Sequence, residues 1–511
     1  MGRAVGIDLG TTYSAVACVD EYGKPAIIKN SDGQATTPSV VYIAPPHYAV
    51  GDVALQSTMT DPGSVVQFIK RFMGVRDYRV KIAGHSFSPE FISSIILRKL
   101  VQEAQEELGE PITAAVITVP AYFTEAQRHA TYEAGQLAGL NVLRIINEPT
   151  AAALAYGISR RGRSRNILVY DLGGGTFDVT ILNIDNESLN VVSVGGDPHL
   201  GGKDWDDRIM NFIEDELRDK FGYEMEPDAA LEAELRLKAE AAKRQLTGRP
   251  SVPITFKAKR TISTGNGTME TFIPVRVELT REKFEAITTD LLSRTEIAME
   301  NIMQQAGLVW DDINETLCVG GSSRMPMVRD MITRLAGRRP LLHDPDECIA
   351  KGAAIQAALL MKDESVEQVS VGHVLSHSLG VATSKNGHTV IEHVIPSLTP
   401  LPCSQVREGY TTTLDNQETV QVRIYEGEST DPEAYPNGPV GIFNLDVSPP
   451  RPKGQPKISV EFRCDENGRI MAIARDRDTG KESRTLISLA GERNDVEVEA
   501  EAALLSQAII A

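Results

Sequence analysis

Two hydrophobic periods alternate through the first 362 residues. Uninterrupted apolar runs at 114–119 and 167–172 are typical of buried strands. Between such runs, apolar residues recur at helical spacing, most clearly over 203–221, 229–246 and 281–306. Strands that alternate with helices predict an α/β body.

The pattern changes at a polar connector over 363–368. Beyond it, apolar and polar residues alternate one by one at 420–425 and 458–462, with turn residues between the runs. Short alternating strands of this kind predict an antiparallel β domain. The acidic tail ends in a short helix candidate with nothing obvious to pack on. We therefore divide the chain into an α/β body (1–364), a linker (365–375), a β domain (376–490) and the tail (491–511).

Composition and charge narrow the class of protein. The 511 residues fit three or four domains or subdomains, and 41% apolar and 24% charged residues are ordinary for globular proteins. A net charge of −18 disfavours general binding to nucleic acid or anionic membranes, so anionic ligands must be held by local amides, a few cations or a metal. Five widely spaced cysteines form no disulfide or zinc pattern, which fits a reducing compartment. The N-terminus has no leader pattern and no apolar run is long enough to span a membrane, so we expect a cytoplasmic protein.

One strand–turn–strand unit occurs twice in the α/β body. An apolar strand delivers Asp8 to its end before the turn at 10–12, and another delivers Asp171 before the turn at 173–176. Carboxylates suit Mg²⁺, usually through water, and Gly/Thr turns let backbone amides approach phosphate oxygens. A single copy would more simply close a hairpin, but two copies in the same order favour a duplicated nucleotide fold. The sequence contains neither a P-loop nor a Rossmann fingerprint.

Two further segments are candidates for the nucleoside side of such a site. A third glycine turn, at 320–326, follows the strand at 316–319. On the helix over 229–246, the spacing i, i+3, i+4 and i+7 puts four polar side chains on one face. Alone, this stripe is typical of a solvated helix, but beside a glycine turn it can clamp a ribose and stack a guanidinium on a purine. The four are Glu240, Lys243, Arg244 and Thr247.

Together these segments resemble the ATPase domain of the 70-kDa heat-shock chaperone family, the DnaK type. The resemblance includes the two turns above and several longer motifs, and it continues into the β domain, so it covers nearly the whole chain. The further motifs stand at 117–123, 144–157, 199–202, 319–326, 344–347, 415–417, 443–446 and 479–482.

The resemblance implies an actin-like, duplicated nucleotide-binding domain followed by an antiparallel β-sandwich that binds peptides. It implies ATP or ADP and Mg²⁺ in the central cleft, with K⁺ as a further candidate cation. The implied catalytic residues are Lys70, Glu148, Asp171 and Thr176, and the implied metal residues are Asp8, Asp171 and Asp178. The implied nucleotide-binding residues are Gly10, Thr11, Thr12, Tyr13, Gly173, Gly174, Gly175, Gly201, Gly202, Glu240, Lys243, Arg244, Thr247, Gly320, Gly321, Ser322, Arg324 and Asp346. Without the resemblance, Lys70 would be assigned to a helix surface.

In the β domain, the resemblance implies a groove for one aliphatic side chain of an extended client, whereas the pattern alone indicates sandwich core. The groove residues are Val381, Tyr410, Val420, Val422 and Ile458. Residues of the implied coupling route between the domains are Pro120, Arg128 and Arg144. The implied partners are unfolded or extended hydrophobic clients, a J-domain co-chaperone and a nucleotide exchange factor.

Three departures from the family pattern bear on function. The segment between Lys70 and Pro120 is shorter, and the long helical lid is missing, with only 491–511 left to form its beginning. In the linker, Ser370 and Gly372 dilute the apolar run and His373 replaces an acid, so we expect weaker coupling between ATP and peptide. The favoured function is an ATP-hydrolysing chaperone. The alternatives are a small-molecule kinase of similar fold and a peptide-binding scaffold with a weak ATPase.

Overall fold

The computed structural model of the chain describes residues 3–75, 77–157, 164–185, 188–221, 228–264, 267–385, 387–435, 438–466, 468–487 and 495–511. The first group of elements is here named lobe I. Its helices are α1 (Asp52–Ser57), α2 (Pro89–Leu108), α3 (Glu125–Leu137) and α4 (Glu148–Gly157). Its strands are β1 (Arg3–Asp8), β2 (Tyr13–Val19), β3 (Pro25–Ile28), β4 (Thr37–Pro38), β5 (Val41–Ala44), β6 (His47–Val50), β7 (Val65–Val66), β8 (Val80–Ile82), β9 (His85–Phe87), β10 (Ile112–Val119) and β11 (Asn141–Asn147).

The second group of elements is lobe II. Its strands are β12 (Arg165–Leu172), β13 (Phe177–Ile184), β14 (Ser188–Asp197), β15 (Ser251–Thr264), β16 (Gly267–Thr280), β17 (Ile313–Val319) and β18 (Leu341–Leu342). Its helices are α5 (Gly202–Phe221), α6 (Ala229–Leu246), α7 (Arg281–Ile287), α8 (Thr289–Ala306) and α9 (Pro326–Ala336), followed by α10 (Cys348–Leu360), which packs on β1, β2 and α4 of lobe I.

The two lobes repeat one sheet plan. In lobe I the parallel strands β11, β10 and β1 continue into antiparallel β2 and β3. In lobe II the parallel strands β18, β17 and β12 continue into antiparallel β13 and β14. The duplicated unit that the sequence predicts is thus present as β1–β2 and β12–β13.

One predicted helix is divided in the structure. The sequence predicts a single helix over 281–306, but α7 ends before Thr288 and α8 begins after it. The buried Thr288 hydroxyl donates to the carbonyl of Phe284 at 2.8 Å, so it competes with the helical backbone pattern. As predicted, the helix ends at Gly307, which has a left-handed φ of 64°.

The β domain consists of two four-stranded antiparallel sheets. Their inner faces share one apolar core that includes Leu379, Ile424 and Phe462. The sheet orders are β21–β20–β23–β24 and β22–β25–β26–β27, with bounds β20 (Leu379–Lys385), β21 (His388–Ile395), β22 (Cys403–Tyr410), β23 (Thr419–Glu426), β24 (Gly441–Asp446), β25 (Ile458–Cys464), β26 (Ile470–Asp476) and β27 (Glu482–Leu486).

The linker forms a strand on the edge of the lobe II sheet. This strand, β19 (Ser370–Gly372), pairs in parallel with β14 through Ser188–Asn190. Val371 and Val374 pack against the core between the lobes. These two valines therefore provide apolar contact even though Ser370 and Gly372 interrupt the apolar run of the linker. The linker is therefore docked on lobe II although its sequence departs from the family pattern. The strength of the coupling between ATP and peptide binding stays a prediction.

The tail returns to lobe I, a contact that the sequence does not indicate. Helix α11 (Asp495–Ser506) buries Leu505 in the lobe I core, and strand β28 (Ile509–Ile510) pairs in parallel with β6. Glu501 accepts hydrogen bonds from the Ser88 amide (3.1 Å) and hydroxyl (2.9 Å) at the start of α2. The expectation that the tail has nothing to pack on is wrong. Its partners are the edge of β6 and the N-terminus of α2, which lie some 400 residues earlier in the chain. Residues 491–494 of the tail lie outside the described part of the chain.

We expect Leu505→Ala to loosen the docked tail. Truncating a buried leucine costs about 2–5 kcal/mol, so hydrogen exchange at the Ile509 and Ala511 amides, which donate to Pro46 and Tyr48, should accelerate by ~30-fold or more. Mass spectrometry of exchanged peptides measures this. Gln507→Ala, an exposed change in the same segment, is the control and should leave exchange near the parent value. Parent-like exchange in Leu505→Ala would show that the leucine does not hold the tail.

Candidate functional site

Two glycine-rich turns face each other where the lobes meet. Each follows a strand with a carboxylate at or near its end, Asp8 on β1 and Asp171 on β12. A Cβ added to Gly174 would lie 2.2 Å from the Thr12 hydroxyl oxygen, so glycine is needed for the turns to come this close. The amides and hydroxyls of both turns therefore border one cleft.

The cleft contains a cavity of about 430 Å³ lined by most of the predicted site residues. The predicted residues on its wall are Asp8, Gly10, Thr11, Thr12, Tyr13, Lys70, Glu148, Asp171, Gly173, Gly174, Thr176, Glu240, Lys243, Arg244, Thr247, Gly320, Gly321, Ser322, Arg324 and Asp346. Gly175, Gly201, Gly202 and Asp178 lie behind the wall. The Gly202 amide donates to the Gly173 carbonyl at 2.9 Å, so Gly202 supports the second turn, whereas Asp178 accepts from the Tyr122 amide at 3.0 Å.

Carboxylates outnumber cations at the floor of the cleft. Desolvation and the charge of Glu148 raise the pKa of Asp8 to about 7 and that of Asp178 to about 7. The pKa of Asp171 is also raised well above its ordinary value, by burial and then by the neighbouring acids. Within the described residues, Asp171 Oδ2 is buried and accepts no hydrogen bond. The floor therefore has the charge of a cation site.

Lys70 is the positive group at this floor. It lies in a 3₁₀ turn (Ile69–Phe72), is only 4% exposed, and its Nζ is 2.5 Å from Glu148 Oε1. Assigning it to a surface helix, as the pattern alone does, is wrong. Phe68, the residue before the turn, has a left-handed φ of 58° and lines the same cavity.

The far end of the cleft contains the polar stripe of α6. The Arg244 guanidinium lies 5.2 Å from the centroid of the Tyr13 ring and 2.6 Å from Glu240 Oε1. Lys243 is buried, and its Nζ donates to Asp206 (2.8 Å) and to the Gly202 carbonyl (2.8 Å). Lys243 thus ties α6 to α5, while Arg244 presents a planar cation to the cavity.

The five predicted groove residues belong to one cluster in the β domain. Val381, Val422 and Ile458 are buried in the sandwich core, and Tyr410 and Val420 pack on it while partly exposed. The structure thus brings the five together, and for the three buried residues it agrees with the core assignment from the pattern. Their contact with a client stays a prediction.

The predicted coupling residues lie at the boundary between lobe I and the β domain. Pro120 begins a loop over 120–124 between β10 and α3. Arg128 donates to the Ala121 carbonyl (3.1 Å) and to Ser376 Oγ (3.4 Å). The buried His373 of the linker has its pKa lowered to about 4, first by desolvation and then by the charges of Arg144 and Arg128. It is therefore neutral near pH 7.

Several residues of this boundary were missed from the sequence. His377 Nε2 lies 3.0 Å from the Tyr122 carbonyl, and the Glu125 amide donates to both oxygens of Glu426, at 3.1 and 3.0 Å. Ser376 Oγ donates to the Ala121 carbonyl at 2.8 Å. These contacts join residues about 250–300 apart in the chain, and no local pattern marks them.

The cleft also contains functional candidates that sequence reasoning missed. Arg71 donates to the Gly175 carbonyl (2.9 Å) and pairs with Asp204 (2.5 Å), so it links the lobes across the cleft. Lys203 lines the cavity directly after the glycine pair at 201–202. That neighbourhood is a signal that could have indicated Lys203, whereas nothing in the sequence distinguishes Arg71.

Comparison with known families assigns the chain to one of them. The family model described as Hsp70 protein matches residues 4–507. In the part of the chain that the structure describes, no helix combines the length and apolar character needed to cross a bilayer. Since the match extends over both lobes, the linker, the β domain and most of the tail, the chain belongs to the Hsp70 family, whose members are ATP-dependent chaperones.

Proposed function

We propose that this chain hydrolyses Mg²⁺–ATP in the cleft between its lobes and uses the cycle to change the affinity of its β domain for exposed apolar segments of unfolded proteins. The observation that carries the proposal is the acid floor with Lys70, opposite two facing glycine turns, in a body onto which the β domain is docked. A J-domain co-chaperone and a nucleotide exchange factor are the expected partners, and K⁺ is a candidate second cation.

The acid floor fits a hydrated Mg²⁺. Asp171 offers a buried oxygen without a hydrogen bond from the described residues, and Asp8 stands opposite it at the end of β1. Among those residues, no group of three or more His, Cys, Asp or Glu side chains is arranged to ligate a metal directly, so water and phosphate oxygens would complete the shell, as Mg²⁺ prefers. When bound, the ion neutralises charge on the phosphates.

The side chains of the cleft divide the remaining work. Amides and hydroxyls of the turns at 10–12 and 173–176, the Thr176 hydroxyl included, hold phosphate oxygens, and Lys70 orients the attacking water. Lys70 places its ammonium beside charge that develops on the terminal phosphate, and Glu148 fixes that ammonium through the 2.5 Å contact. Hydrolysis then depends on positioning and electrostatics, with no covalent intermediate on the protein.

One loop connects the acid floor to the β domain. Asp178 Oδ1 accepts a hydrogen bond from the Tyr122 amide at 3.0 Å, and the Tyr122 carbonyl contacts His377 of the β domain. Ala121, the preceding residue, also hydrogen-bonds Asp178 and accepts from Ser376 Oγ, so a change of charge at the floor reaches the docked domain through these two adjacent residues. A small-molecule kinase would need a base in the cleft to activate its acceptor, and it would not need a β domain. The contact between Tyr122 and His377 therefore favours the chaperone.

Lys70→Ala should retain ATP binding but slow hydrolysis by about 100-fold or more, since its charge acts chiefly on the transition state. Single-turnover hydrolysis of labelled ATP and calorimetric ATP affinity separate the two effects. Lys99→Ala is the control, because Lys99 lies on α2 outside the cavity and pairs with Glu103 at 3.2 Å, and it should turn over ATP near the parent rate. Hydrolysis at the parent rate in Lys70→Ala would show that Lys70 does not act on the transition state of hydrolysis.

Arg244→Ala should weaken ATP binding by about 2- to 30-fold and leave the single-turnover rate of saturated protein unchanged. This follows because a stacked guanidinium is worth about 0.5–2 kcal/mol and acts far from the bond that breaks. Arg249→Ala, outside the cavity beyond the end of α6, should not change the dissociation constant measured by calorimetry. Equal affinities for parent and Arg244→Ala would place the nucleoside elsewhere.

His373→Asp should strengthen coupling, because a carboxylate beside Arg128 and Arg144 replaces a neutral ring in the docked linker. The ratio of peptide dissociation constants with ATP and with ADP, from fluorescence anisotropy of a labelled peptide, should rise about 5-fold. His373→Asn, similar in size but uncharged, should keep the parent ratio. An increase as large in His373→Asn as in His373→Asp would show that charge is not the cause.

A further inference from the structure

Two of the five cysteines stand directly opposite each other in the β domain. Cys403, the first residue of β22, is the register partner of Cys464, the last residue of β25, in an antiparallel pair. Opposed residues in such a pair have Cα atoms about 4.5–5.5 Å apart, which lies inside the range of about 4.4–6.8 Å that disulfides span. Both thiols are free, and they share a hydrogen bond. The pair therefore has the placement that a disulfide needs without movement of the strands.

The two thiols differ in access and acidity. Cys464 is buried, whereas Cys403 is partly exposed. Burial raises the pKa of both, but their mutual hydrogen bond lowers the pKa of Cys403 and raises that of Cys464, as expected if the Cys464 thiol donates to the Cys403 sulfur. Cys403 is thus the thiol that an oxidant meets first, and Cys464 stands ready to resolve it.

The pair lies where the β domain meets the rest of the chain. Leu401, two residues before Cys403, donates its amide to the carbonyl of His373 in the linker at 2.9 Å. The turn after Cys464 brings Glu466 and Gly468 to a small cavity shared with Glu125 and Arg128 of lobe I. A covalent link at this point would fix the two segments that contact the linker and lobe I.

We propose that Cys403 and Cys464 form a reversible dithiol–disulfide site that hydrogen peroxide oxidises. The Cys403 thiolate attacks one peroxide oxygen, the O–O bond breaks, and the departing hydroxide takes a proton to leave as water, giving a sulfenic acid. The Cys464 sulfur then attacks the Cys403 sulfur as its S–H bond breaks, the S–O bond of the sulfenic acid breaks, and the leaving hydroxide takes the Cys464 proton and departs as a second water while the S–S bond forms. The two electrons have passed to the peroxide, and a thiol reductant returns both cysteines to the reduced state.

The site fits the chemistry of a reducing compartment. Disulfides of cytosolic proteins are mostly transient and linked to redox sensing. The other cysteines, Cys18, Cys318 and Cys348, are buried in the lobes, so peroxide should act on the β domain selectively. Because the pKa of Cys403 is not lowered overall, the reaction should need millimolar peroxide and minutes.

Thiol counting on the folded, full-length chain tests the site. The reduced protein has five thiols, and peroxide treatment followed by alkylation in denaturant should leave three, with five restored by dithiothreitol. Non-reducing peptide mass spectrometry should show the peptide of Cys403 linked to that of Cys464 within one chain. Retention of five thiols, links between chains, or loss that dithiothreitol does not reverse would each overturn the proposal.

Substitutions separate this pair from general oxidation. Cys403→Ser leaves four thiols, and all four should survive peroxide because the buried Cys464 has lost its partner. Cys18→Ala also leaves four thiols but keeps the pair, so its count should fall to two. An equal fall in both variants would contradict a specific site, and the parent's thiol count decides the matter if either variant fails to fold.

Discussion

The crowding of buried carboxyl groups at the junction of the lobes is the constraint on which the rest of the structure depends. Asp8 and Asp171 meet there because each half of the duplicated sheet ends a strand at or next to a carboxylate. Glu148 joins them from the start of α4 and Asp178 from the start of β13, and Lys70 pairs with Glu148 alone. The raised pKa values of three of these acids record the cost of holding them together. Anything that brings positive charge to the floor stabilises the closed lobes, and so ligand binding and lobe closure are thermodynamically linked.

The docked β domain is held by contacts that carry their own electrostatic cost. Glu125 and Glu426 are both buried at the boundary, and desolvation, together with the charge of Glu426 for Glu125, raises their pKa values. The nearby Arg128 and the hydrogen bonds from the Glu125 amide offset part of this penalty. A boundary of this kind is specific in geometry yet modest in strength, as the proposed cycle of docking and undocking requires.

The local pattern of apolar and polar residues is sufficient to predict the features that are built from short segments. The two turns near Asp8 and Asp171, the stripe on α6 and the alternating strands of the β domain all follow from periodicity within about twenty residues. The burial of Lys70 does not follow from periodicity, because its partner Glu148 is 78 residues away and a four-residue 3₁₀ turn has no repeating pattern. The same reason explains why Leu505 in the lobe I core and the opposed cysteines were missed. Register and docking are set by long-range pairing, which one sequence does not display.

The returning tail changes the connectivity of the molecule from a string to a ring. The β domain is attached to lobe II through the paired linker strand, and to lobe I through α11 and β28. Only about eight residues separate the end of β27 from α11, a reach of at most about 29 Å. While both attachments hold, an undocked β domain stays at a local concentration in the millimolar range near its docking surface, whatever the dilution of the protein. Separation of the two domains is then governed by release of the tail.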